Sequence, residues 1–305
     1  MSSNSSRKTP ANLIDPSLYG VSFSVKQCRS FGLDPDEALR WLLKQGWRRF
    51  RLMSYWNELE KHPGTFDFKL LDKHIRMIDK AGGFVTLCLG VKQPRWPEYH
   101  WPDWAHALPD KERDELLIRY LQTTVRHYRD ETSIVSWQLE NEALLSNFGT
   151  NIAIDRRRLI KEYGLVRKLD GTRPIIMSTS NGWGIPVRAP RPNIVGFSYY
   201  LRRYERGRYR NTIQSPWLHR LRKLLIWQPV CIHELQCEPW GPKAIWEMDP
   251  AEQDKSMSPE QIRRNIAAAK RIKAYPIDLW GGEWWYWRYL RGDEYIWETV
   301  RENIF

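Results

Sequence analysis

Strand-like and helix-like segments alternate about eight times along this chain, and two of the apolar strands end in a carboxylate; together these observations predict an α/β protein built as one (β/α)8 TIM barrel. The length of 305 residues suits that fold. Residues 1–15 read as a polar N-terminal tail, MSSNSSRKTP at its head, and residues 16–305 as the barrel domain, with no linker-like stretch after Tyr19.

Taken in order, YGVSFS (19–24) is a first short strand. The next segment carries a helix start in Asp34, Pro35 and Glu37, and stops at Gly46. A second strand covers 48–54, and a helix over 68–81 puts Leu71, Ile75 and Ile78 on one face. FVTLCL (84–89) is a continuous apolar run of the kind buried on both sides, hence a third strand. The connection from Gly90 to Asp110 is long and rich in Pro and Trp, which in a compact domain suggests function.

A helix from Lys111 to about Tyr128 leads into the fourth strand, SIVSWQLENEALL (133–145). The helix over 154–169 follows, then a fifth strand in RPIIMSTS from Arg173 and a sixth in NIVGFSYY from Asn193. A helix over 217–227 precedes the seventh strand, 229–235, which closes on His233 and Glu234. A helix over 258–273 starts with Ser258, Pro259 and Gln261. The eighth strand runs from Ile277 to about Trp284, and a last helix covers 293–304.

In such a barrel the strand C-termini carry the chemistry, so they should be polar or aromatic. They are. Trp56 and Asn57 follow the second strand, Gln93 and Trp96 the third, Asn141 and Glu142 the fourth, Ser180 and Asn181 the fifth. Tyr199 and Tyr200 follow the sixth, Glu234 and Glu238 the seventh, and Trp285 and Trp287 the eighth.

WQLENE on the fourth strand with IHELQ on the seventh resembles the retaining glycoside hydrolases of the (β/α)8 superfamily called clan A, which includes families 5, 10 and 42. The resemblance runs from about Tyr19 to Tyr289. It implies a β-glycosidase acting on an oligo- or polysaccharide by double displacement, with Glu142 as acid and base and Glu234 as nucleophile. It further implies that Asn141 holds the sugar 2-hydroxyl, that Arg51 in RFRLMSYW contacts the nucleophile, that Tyr200 lies near the site, and that a strand-eight tryptophan, Trp285, floors a subsite. The histidines that family 5 places on strands four to five are not evident here, so the family within the clan stays open.

Residue chemistry supports the pairing independently. Two carboxyls roughly 5–5.5 Å apart do not both ionise cheaply, so a cation beside one keeps it charged while the other holds its proton. Arg51 would assign Glu234 the charge. Glu238 is read as a cleft residue or structural, and is the alternative nucleophile; Glu140 is read as an acceptor one layer below the pair. Trp56, Trp96 and Trp285 are candidate sugar platforms, although packing is the ordinary fate of a tryptophan.

The net charge of +12 is compatible with an anionic partner, and the run Leu201–Arg210, read as a charged loop on the catalytic face, motivates an anionic glycan as one option beside a neutral oligo- or polysaccharide. No nucleic-acid motif accompanies the charge. No cofactor or metal is expected: the four cysteines lack ligand spacing and read as buried thiols, and the first strand has no His-x-His. Neither a secretory h-region nor a membrane-spanning run is visible, so a cytoplasmic location is the default expectation, and an extracellular one needs an export segment outside this sequence. A silent carbohydrate-binding barrel and a transglycosylase are the competing readings, since both would keep the cleft.

Overall fold

A computed structural model describes residues 13–145, 154–182 and 189–305. The first six strands are β1 (Tyr19–Phe23), β2 (Arg49–Met53), β3 (Phe84–Leu89), β4 (Ile134–Leu139), β5 (Ile175–Thr179) and β6 (Ile194–Tyr199). A two-stranded antiparallel hairpin, β7 (Arg202–Glu205) and β8 (Arg208–Asn211), interrupts the series before β9 (Val230–Gln236) and β10 (Ile277–Trp280). All strands but the hairpin pair in parallel, and β10 returns to β1 to close an eight-stranded barrel in the order β1-β2-β3-β4-β5-β6-β9-β10. The expected fold is present.

The helices are α1 (Val25–Ser30), α2 (Pro35–Lys44), α3 (Trp56–Leu59), α4 (Lys69–Lys80), α5 (Asp110–Tyr128), α6 (Arg156–Leu169), α7 (Pro216–Leu225), α8 (Pro250–Met257), α9 (Pro259–Ile272), α10 (Gly282–Tyr289) and α11 (Tyr295–Ile304). Asp34 caps α2 as its sequence demands, accepting from the backbone N–H of Asp36 at 2.7 Å and of Glu37 at 3.0 Å. Asp249 caps α8 in the same way, accepting from Glu252. That helix was not anticipated, although Asp249-Pro250 repeats the Asp34-Pro35 signal. Both ends of the described chain dock on one turn: the Ile14 N–H donates to the Gly46 carbonyl at 3.1 Å, and the Trp297 indole to the Gln45 amide oxygen at 3.1 Å.

Two element assignments need correction. The eighth strand stops at Trp280, four residues before the expected end, and GEWWYWRY is helix α10. Aromatic residues favour strands on a half-buried surface, but Gly282–Arg288 are buried all round, so packing decides. The run after β6 is a hairpin and not an open loop. Arg206 and Gly207 at its tip have φ of 51° and 76°, the left-handed pair that a two-residue turn requires.

The barrel axis is polar where branched apolar side chains usually fill it. Arg49 meets Asp278 at 3.3 Å and Thr86 at 3.2 Å, and Thr86 meets Ser136 at 2.8 Å. Gly20 leaves room for this: a Cβ there would lie 2.2 Å from the Asp278 carboxylate. The apolar core instead fills the layer between strands and helices, and all four cysteines are free and buried.

Candidate active site

At the C-terminal end of the barrel β2, β4, β6 and β9 bring one cation and several carboxyls together. Arg51 on β2 is fully buried, and every arm of its guanidinium is used. It donates to Glu234 at 2.7 Å, to Gln138 at 2.6 Å, to Asn141 at 3.0 Å and to the His233 carbonyl at 3.2 Å. Gln138 in turn meets the His233 ring at 2.8 Å, and His233 meets Asp278 at 2.7 Å. The polar axis therefore continues unbroken up to Glu234. Tyr200 donates to the other Glu234 oxygen at 3.1 Å.

Glu142 stands across from Glu234, and the Ser198 hydroxyl of β6 lies between them, 2.6 Å from Glu142 and 3.4 Å from Glu234. The two oxygens it touches are thus no further apart than the sum of those contacts. Burial first, and the Glu234 charge second, push the Glu142 carboxyl up to about 7. Its backbone is in the left-handed region at φ 46°, an uncommon conformation for a side-chain-bearing residue, held by an N–H donated to Ser178 at 2.9 Å and by Lys92 donating to its carbonyl at 3.0 Å.

Asn141 is locked by its neighbours. Its amide oxygen accepts from Arg51, Gln138 and Ser178, and its nitrogen donates to Glu98 at 3.2 Å. Glu98, from the Pro- and Trp-rich connection, is a third buried carboxyl. Burial, then Glu234 and Glu142, push it up to about 8. Glu238 is engaged rather than open: Arg95 grips it with both terminal nitrogens, also reaches Glu283 at 2.9 Å, and lies over the Trp280 ring at 3.9 Å from its centroid.

The cleft above these groups has a volume of about 560 Å³. Glu98, Asn141, Glu142, Ser198, Tyr200, Glu234 and Glu238 line it with Trp96, Trp240, Trp246 and Trp280, and Arg203 and Lys243 stand at its wall. Trp96 is 69% exposed and lines the cleft.

Two expected platforms do not reach it. Trp56 is fully buried in α3, stacked on Tyr120 with its indole N–H on Glu60 at 2.7 Å. Trp285 is fully buried in α10, packed against Trp47 with its N–H on the Cys237 carbonyl at 2.8 Å. Because β10 ends early, Trp280 faces the cleft and Trp285 turns into the core. Trp287 likewise packs beside Phe31. Glu140 is an acceptor, but not beneath the pair: it takes the backbone N–H groups of Val91 and Lys92, with Arg158 of α6 3.6 Å away. β4 has ended by Leu139, and Glu140 also has a positive φ of 49°, so strand alternation no longer applies.

Sequence reasoning missed Arg95, Glu98, Ser198, Trp240 and Trp280. The connection holding Arg95 and Glu98 is marked as functional by its length and its Pro and Trp content, which single out neither residue. Ser198 could have been found by alternation along β6, since it faces the same way as the small residue Gly196. Among the described residues, no group of three or more His, Cys, Asp or Glu is placed to hold a metal ion.

No protein-family model matches the sequence. Among solved structures, the fold is similar to a glycosylated endo-β-1,4-xylanase of glycoside hydrolase family 10 from Gloeophyllum trabeum, with a TM-score of 0.61 and 15% identity over 89% of this chain and 86% of that one. It is also similar to a GH5_18 structure from Streptomyces cattleya in complex with GlcNAc, with a TM-score of 0.61 and 13% identity over 87% and 70% of the two chains. A β-galactosidase from the haloarchaeon Halorubrum lacusprofundi gives a TM-score of 0.57 and 14% identity, over 86% of this chain and 52% of that one. This chain therefore spans about half of the galactosidase. The likeness at these identities is one of fold, the (β/α)8 barrel expected from the clan A resemblance.

Proposed function

We infer that the protein is a retaining β-glycosidase in which Glu234 is the nucleophile and Glu142 the general acid and base. The single observation that carries this is the Ser198 hydroxyl bridging both carboxyls while Arg51 grips only Glu234. One hydroxyl in reach of both carboxyls supports the close pairing, roughly 5–5.5 Å, of a retaining enzyme over the wider spacing that leaves an inverting enzyme room for water. The guanidinium bonds Glu234 and not Glu142, and the buried, anionic surroundings of Glu142 favour its protonated form.

Glu142 then protonates the leaving oxygen as Glu234 attacks the anomeric carbon. Esterification removes the Glu234 charge, which relaxes the pressure on Glu142. Glu142 can now take a proton from water, or from a sugar hydroxyl if transfer replaces hydrolysis. Asn141 and Tyr200 position the nucleophile side, and Trp280 and Trp96 offer flat faces to sugar rings. Arg203 and Lys243 on the cleft wall favour a substrate with anionic substituents.

Reducing-end release from neutral and acidic β-linked oligosaccharides tests the reading, run beside Glu142→Gln and Glu234→Gln. Both variants should lose at least about a thousandfold in kcat while staying folded. Activity surviving Glu234→Gln would move the nucleophile to Glu238. Binding without any cleavage across the panel would leave the silent binding barrel.

A further inference from the structure

Helix α7 is built inside out. A surface helix ordinarily turns its apolar stripe to the core, yet Trp217, Leu218, Leu221, Leu224 and Leu225 form a continuous stripe on its solvent side. Leu224 is 81% exposed and Trp217 65%, and Trp227 just beyond the helix is 100% exposed. The barrel side is supplied by buried His219, stacked on Phe197 and bonded to Gln214 at 2.6 Å, and by Ile226.

Basic side chains flank the stripe. Arg220 stands along one edge and Arg222 along the other, and Lys223 bonds the Lys273 carbonyl of the loop after α9 at 2.5 Å. From Arg206 through His233 the sequence contains six Arg or Lys, Arg206 included, and no Asp or Glu.

We propose that the outer face of α7 docks on an anionic lipid bilayer, lying in its interface without crossing it. An exposed stripe of Trp and Leu bordered by Arg and Lys is the composition of an interfacial helix: the apolar side chains enter the acyl boundary and the cations meet lipid phosphates. No helix among the described residues is long and apolar enough to span a membrane, so the contact is peripheral. A second copy of this chain is a poorer occupant. A twofold interface would press this acid-free stretch against itself in a protein of net charge +12.

Sedimentation of the full chain with phosphatidylcholine vesicles containing one quarter phosphatidylglycerol tests this, with pure phosphatidylcholine alongside. The parent should pellet with the anionic vesicles and shift its tryptophan emission to the blue. The double variant Leu224→Ser/Trp227→Ser, altered only at exposed positions, should bind at least about tenfold more weakly with an unchanged melting temperature. Arg220→Glu keeps the stripe and should lose the preference for phosphatidylglycerol. The proposal is overturned if the parent does not pellet, or if the double variant pellets equally. A sedimentation-velocity dimer that dissociates in the double variant would assign the face to a second copy instead.

Discussion

At the scale of single residues, the site is governed by three carboxyls and one guanidinium. Glu142 must carry a proton to act as acid, so kcat/KM should fall as the pH rises through about 7. Burial and the charges of Glu234 and Glu142 hold Glu98 higher still, at about 8. Glu98 is thus mostly neutral while Glu142 titrates, so Glu98→Gln should leave that alkaline limb in place, which a pH profile of the variant will check. The same substitution has a stability signature. A carboxyl raised from 4.5 to about 8 lets the folded state hold a proton that the unfolded chain gives up. Stability is then highest below pH 4.5 for this group and is lost as the pH rises towards 8. Melting temperatures at pH 5 and pH 8.5 should converge less in the parent than in Glu98→Gln, which gains on its parent only at the higher pH. The aromatic residues separate equally well. Trp96→Ala, at an exposed cleft position, should raise KM with little change in melting, whereas Trp56→Ala opens a hole in the packed wall and should cost about 3–5 kcal/mol in a denaturant titration.

At the scale of elements, the turn after β3 holds the fourth strand's end in place. Gly90 has φ 100°, and a Cβ there would stand 2.4 Å from the Glu140 carboxyl carbon. Gly90→Ala should cost about 2–4 kcal/mol and loosen Glu142 two residues on, so thermal melting and kcat should fall together. These barrel elements are legible in the sequence because most strands are compact apolar runs and helices such as α2 and α9 start on Asp34 and Ser258 caps followed by proline. Glu142 and Glu234 are legible as candidates because a carboxylate where an apolar strand closes has no local reason to be there, whereas Arg51, in the middle of β2, is picked out only by the resemblance of RFRLMSYW. The rest depended on where elements stop. A run of Trp and Tyr after Gly281 fits strand and buried helix alike, and only packing separates Trp280 from Trp285. Glu98 and Arg95 sit on irregular backbone with positive φ, where neither period of two nor period of 3.6 tells which way a side chain points.

At the scale of the whole molecule, polarity runs in two directions. Along the axis, Arg49, Asp278, His233, Gln138 and Arg51 form a charged and hydrogen-bonded column that ends at Glu234. Such a column tolerates loss of one member badly, because the partner left behind is buried and unpaired. Across the axis, α7 presents an apolar strip to solvent on one flank of the barrel. A helix after a barrel strand runs back alongside it, so a bilayer held by α7 would lie parallel to the axis, and the cleft would open along the lipid surface and not into it. The docking of Ile14 and Trp297 on the single turn at Gln45 and Gly46 has a topological corollary. Covalent order is dispensable in a ring whose first and last strands are already neighbours. Tethering the two termini and cutting between Arg206 and Gly207 at the hairpin tip should yield a circular permutant that retains the cleft, with every barrel strand beside the same partners as before.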